Sequence, residues 1–222
     1  MTKRNQIVVA VAAAALLVGG GLFASNMGFK LNYPLYTGGD AGSASGTQTI
    51  ALPYNQQTSI VNASNLVDDI EATAGDPLAV VQISQFVPST DLFETYTGSL
   101  LDDPNGGFAL TPGKGYTVQV RASVNYIIVG SHDPGLVVNL DTVGTNGSLS
   151  GINSFAFPYH GTAANASDLV AEIEAAAGDN LAVVSVSQFN ITNDLQNTYT
   201  GSLLDDPNGG FALVPGEAYT IQ

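Results

Sequence analysis

The chain has 222 residues, no cysteine, no tryptophan and a formal net charge of −14, with nineteen acidic residues against five basic ones. Such a surface repels nucleic acid and anionic lipid, and the lack of cysteine excludes disulfide bonds and a thiol nucleophile. Only 11% of residues are charged, so the exterior reads as neutral-polar and weakly acidic.

Lys3 and Arg4 precede an uncharged run from Ile7 to Phe23, and the small Ala24 precedes the polar Ser25 and Asn26. Basic, apolar, small is the order of a secretory signal peptide. Residues 1–24 are therefore expected to be a leader cleaved after Ala24, with an uncleaved membrane anchor as the alternative. Cleavage leaves sixteen net negative charges, nineteen acidic residues against three basic.

Beyond an N-terminal segment, residues 25–46, the sequence repeats itself. Thr95 to Leu110 and Thr198 to Leu213 are the same sixteen residues, TYTGSLLDDPNGGFAL. LPY from Leu52 answers FPY from Phe157, NAS from Asn62 answers NAS from Asn165, and GDPLAVVQISQF from Gly75 answers GDNLAVVSVSQF from Gly178. A fixed order at a nearly fixed offset predicts two copies of one structural unit: module 1 over 47–134, a linker over 135–151, and module 2 over 152–222.

Within a module, Thr49 to Leu52 or Ser154 to Phe157 predicts a short strand that ends at the following proline. A helix follows, with Asn62 or Ser64 as cap, Leu66, Val67, Ile70 and Ala74 on one face and Gly75 as the stop. Leu169, Val170, Ile173, Ala177 and Gly178 repeat the pattern. Leu78 to Phe86 predicts a strand buried at its start and alternating near its end. After the DDPNGG turn, Tyr116, Val118 and Val120 alternate with polar residues, as a half-buried strand requires. Ala122 to Asn125 is expected to turn the chain so that Tyr126 to Val129 returns as the partner of that strand. The expected class is mainly β with one helix per unit (α+β): two tandem small β-sandwich or barrel-like modules, the second incomplete, because Gln222 aligns with Gln119. Two explanations stay open for that end. Either a longer gene product continues the module, with the N-terminal strand belonging to copy one, or the segment Phe29 to Leu35 completes copy two by strand addition, within the chain or from a neighbour.

Few residues point to chemistry. Ser131, His132 and Asp133 are the types of a catalytic triad, but sequence neighbours point apart and cannot form the relay. Asp102, Asp103 and Asn105, with Asp205, Asp206 and Asn208, are candidate calcium ligands through hard oxygens, though the distal bidentate acid of a calcium loop is missing and Asp-Pro-Asn-Gly-Gly also suits a tight exposed turn. Tyr54, Tyr96, Tyr116, Tyr159, Tyr199 and Tyr219 are candidates for a ring-stacking carbohydrate platform, against the reading that tyrosine is simply good strand material.

The leader ending ASNMGFKLNYPL, followed by L-P-Y, N-A-S-x-L, F-x-L-x-P-G-x-x-Y and G-S-H, resembles exported bacterial proteins built from tandem β-rich modules. That resemblance spans nearly the whole chain, departs where Ala218 replaces Gly115, and brings no activity with it. It implies a secreted or cell-surface protein. The expected function is non-enzymatic, structural, adhesive or ligand-binding, with no required cofactor, an extracellular polymer or protein as partner and no nucleic acid. The alternative is a carbohydrate-binding or carbohydrate-active accessory protein.

Overall fold

The structure is a computed structural model that describes residues 28–52, 55–56, 59–98, 106–131, 137–159, 161–201 and 209–222. In chain order its elements are β1 (Gly28–Leu35), β2 (Thr47–Ala51), β3 (Asn55–Gln56), α1 (Ala63–Ala74), β4 (Val80–Val87), β5 (Leu92–Thr97), β6 (Gly115–Val120) and β7 (Val124–Ser131). They continue with β8 (Asn153–Ala156), α2 (Ala166–Ala177), β9 (Ser185–Asn190), β10 (Leu195–Thr200) and β11 (Ala218–Ile221). The described chain is thus mainly β, with several antiparallel sheets and two helices.

Both helices start and stop as their sequences dictate. The Asn62 side chain accepts the Asn65 amide at 2.9 Å, and Asn165 accepts that of Asp168 at 2.9 Å. Each satisfies one of the amide donors orphaned by the first turn. Gly75 and Gly178 close the helices in the left-handed conformation, at φ 67° and 68°, where a Cβ is penalised. Leu66, Val67 and Ile70 carry the buried face of α1.

One sheet has the order β2-β6-β4-β5 and another β8-β11-β9-β10. The two orders correspond strand for strand through the sequence repeat. In β6, Tyr116, Val118 and Val120 are buried, as the period-two pattern requires, while Thr117 and Gln119 are half-buried. A third sheet, β1-β7-β3, belongs to the first half alone. It corrects the expected pairing of Tyr126–Val129 with Tyr116–Val120: β6 lies between β2 and β4, and β7 pairs instead with β1, Tyr33 opposite Tyr126 and Leu35 opposite Val124. Alternation told which side chains face inward but not which strand lies alongside. The expected open edge at Tyr219–Gln222 is corrected for the same reason, since β11 has β8 on one side and β9 on the other.

The first-half core is closed by both of its sheets and α1, and draws on Leu31, Leu35, Ile50, Leu66, Ile70, Ile83, Val118, Tyr126 and Ile128. The second-half core gathers Phe155, Phe157, Leu169, Val170, Val186, Tyr219 and Ile221, with Val138, Leu140 and Ile173 only partly buried against it.

Residues 135–151 are not a bare connection. Gly-Asp-Ala-Gly-Ser-Ala-Ser-Gly from Gly39 and Gly-Thr-Asn-Gly-Ser-Leu-Ser-Gly from Gly144 fold alike: the Gly39 amide donates to Ser43 O at 2.7 Å and that of Gly144 to Ser148 O at 2.8 Å. Ala41 and Asn146 sit at φ 46° and 49°. Gln48 exchanges hydrogen bonds with the Tyr36 backbone as Asn153 does with that of Asp141. The expected linker therefore repeats, in its described part, the fold of the segment before β2.

Candidate functional site

Asp102, Asp103, Asn105, Asp205, Asp206 and Asn208 lie outside the described residues, as do Tyr54, His132 and Asp133. Among the described residues no cluster of three or more histidine or acidic side chains could hold a metal, and no helix is long and apolar enough to cross a membrane.

The described tyrosines do not form a stacking platform. Tyr96, Tyr116, Tyr199 and Tyr219 are all less than a tenth exposed, so their ring faces are given to the interior. Phe108 stacks on Tyr116 at 6.1 Å and Phe211 on Tyr219 at 6.0 Å. The Tyr116 hydroxyl accepts the Thr111 amide at 2.6 Å, and that of Tyr219 accepts the Val214 amide at 2.8 Å. Burial pushes both phenols above the ordinary tyrosine value, and for Tyr219 the nearby Glu217 carboxylate adds to the rise. Tyr159, also raised by burial, packs its half-buried ring against the first-half core.

The two halves meet along a seam of small residues. Ala51, Ala156 and Ala218 cluster there. A Cβ on Gly115 would come within 2.7 Å of both Ala218 Cβ and Ser154 Oγ. Contacts across the seam are reciprocal: the Ala44 amide donates to Ile191 O at 2.8 Å, and the equivalent Leu149 amide to Pro88 O at 3.0 Å. One asymmetry has a plain cause. The Ala156 amide reaches Gly113 O directly at 3.0 Å, whereas at the matching place the Tyr33 hydroxyl is interposed, accepting the Ala51 amide at 3.4 Å and lying 2.6 Å from Gly216 O. Val138 stands at the position equivalent to Tyr33 and has no hydroxyl to interpose.

The feature best suited to binding is an open groove in the second half. In the first half β7 lies between β1 and β3 with Val124, Tyr126 and Ile128 buried, and packs on α1, where the Tyr126 hydroxyl donates to Asp69 at 2.8 Å. No described residue takes the corresponding place in the second half. Ile70 and Ala79, both 0% exposed, have the half-buried Ile173 and Ala182 as counterparts, and Leu35 at 2% has the half-buried Leu140. Val184 is 57% exposed. Leu140, Ile173, Ala182 and Val184, together with Val138, Val143 and Ala177, line a cavity of about 580 Å³. Its described lining carries a single charged side chain, Asp141. Val137 to Leu140, equivalent to β1 residues, form no ladder. Sequence reasoning missed this groove, although the spacing Gly-x-x-Gly-Ser-x-Ser-Gly, present at both Gly39 and Gly144, carries the signal that would have found its edge.

No family model matches the chain, and neither the curated proteins nor the solved structures contain a match to it.

Proposed function

We propose that this is an exported protein, secreted or displayed at the cell surface, built from two copies of a β-rich, sandwich-like unit docked face to face, with a structural, adhesive or ligand-binding role. On this reading the first copy is closed by its own third sheet, while the corresponding core edge of the second is uncovered among the described residues. The observation that carries it is the change at equivalent positions, from the fully buried Leu35, Ile70 and Ala79 to the half-buried Leu140, Ile173 and Ala182. Apolar residues lining a concave site are the usual form of a binding surface. The reciprocal seam supports two copies set against each other, and the leader supports export. The carbohydrate reading has no comparable support, because four of its platform tyrosines are buried.

Fractionation of the native cells tests the reading. The protein is expected outside the cytoplasmic membrane, starting at Ser25 and accessible to antibody on intact cells or in the medium. Cytoplasmic protein that retains Met1 would contradict it.

A further inference from the structure

We propose a second binding site, for a small uncharged aromatic alcohol, in a cavity of about 230 Å³ between the two halves. A dry cavity of about 150 Å³ already takes a benzene ring. Each half contributes the outward face of its four-stranded sheet: Thr49 on β2 and Thr117 on β6 from the first, Ser154 on β8 and Thr220 on β11 from the second. These are equivalent positions in the repeat, so the cavity lies where the two copies face each other. No charged side chain lines it among the described residues, so an ion entering it would lose hydration without meeting a counter-charge. The hydroxyls of Thr49, Thr117 and Thr220 have no hydrogen-bond partner among the described residues, and each can donate to a ligand or accept from it.

The ring is called for where the repeat breaks. In the first half Phe93 lies opposite Phe86 across the β4–β5 ladder and packs edge-to-face on it, with ring centroids 5.6 Å apart. In the second half Phe189 keeps the place of Phe86, but Gln196 stands opposite it in place of Phe93, and Phe189 has no ring partner among the described residues. All four residues line the cavity. A ligand ring on Phe189 repeats the contact that Phe93 makes in the first half, an arrangement favoured beyond the area it buries. The Gln196 amide and the threonine hydroxyls then take the ligand's own hydroxyl. A saccharide suits the cavity less well, because hydroxyls around its whole ring would be set against three phenylalanines and left unpaired.

The probe is benzyl alcohol, titrated into the purified full chain and followed by backbone amide shifts. One molecule is expected to bind per chain, with the shifts centred on Thr117, Phe189, Gln196 and Thr220. Benzoate, the same ring carrying a charge, should bind at least about tenfold more weakly, because no cation meets its carboxylate. Gln196→Phe restores the pair seen in the first half and puts the protein's own ring where the ligand's would lie. The position is exposed, so this variant keeps its circular dichroism and melting while saturable binding is lost. Thr220→Val removes one hydroxyl at constant shape and should weaken binding about fivefold. Overturning results are the absence of saturable binding, unchanged affinity of the Gln196→Phe protein, shifts centred elsewhere, or equal affinity for benzoate. Binding of methyl glucoside in preference to benzyl alcohol would make this a saccharide site and overturn the aromatic assignment. The titration uses neither the second-half groove nor the export of the chain, so its failure leaves those readings standing.

Discussion

Replacing Gly115 with alanine tests how tightly the two halves meet. Gly115 has no positive φ, so in open space alanine would stabilise the chain by about 0.4–1 kcal/mol through the unfolded state. The seam reverses that sign. The new methyl would sit 2.7 Å from Ala218 Cβ and 2.7 Å from Ser154 Oγ, well inside van der Waals contact. The serine can rotate away only by giving up its 3.1 Å hydrogen bond to Gly115 O, and the alanine methyl cannot rotate away at all. Overpacking of this kind costs about 1–3 kcal/mol, which leaves a net loss of about 1–2 kcal/mol and, for a chain of this size, a fall in Tm of about 3–6 °C. Ala218 occupies the position equivalent to Gly115, so Ala218→Gly opens the space from the other side. The double variant should recover about 1 kcal/mol relative to the sum of the two single changes. Thermal and urea unfolding followed by circular dichroism measure all four proteins. Strict additivity, or a Gly115→Ala protein more stable than its parent, would refute face-to-face docking at this seam.

Asn62→Ala and Asn165→Ala should each cost about 1 kcal/mol by orphaning a first-turn amide, read from denaturant midpoints at constant slope. Alkaline titration should unfold the chain. Tyr116 and Tyr219 hold pKa values raised by burial, so the stability they contribute is full below about pH 10, the unfolded tyrosine value, and is lost as pH rises above it. Tyrosinate absorbance should therefore rise together with loss of structure, and full ionisation near pH 10 in a folded chain would contradict the burial. Melts with calcium and with chelator should coincide if the DDPNGG sequences form the metal-free tight turns that their Asp, Pro, Asn and Gly residues favour. A rise of many degrees on adding calcium, abolished by Asp102→Asn with Asp205→Asn, would assign those loops to the metal.

Local signals carried far along this sequence and long-range ones did not. The caps at Asn62 and Asn165, the stops at Gly75 and Gly178, and the inward alternation of Tyr116, Val118 and Val120 are each decided within a few residues. The partner of β7 is decided by β1, about ninety residues earlier in the chain, and the nearest alternating strand was the wrong guide. The segment 135–151 looked like a linker because its apolar residues changed, Tyr33 to Val138 and Tyr36 to Asp141, while the left-handed turn positions that fix its path stayed at Gly39, Gly42 and Gly46 against Gly144, Gly147 and Gly151. Buried tyrosines and displayed ones obey the same period of two, so only packing could separate the stacking platform from the core.

The most direct test of the open groove is amide hydrogen exchange of the protein alone, comparing Asn32 to Leu35 with the equivalent Val137 to Leu140. Where its amides pair with β7 the first segment should exchange only on wider opening of the fold, whereas the second, beside which no described strand lies, should exchange orders of magnitude faster. Equal, strong protection of both segments would show that the second half is already closed.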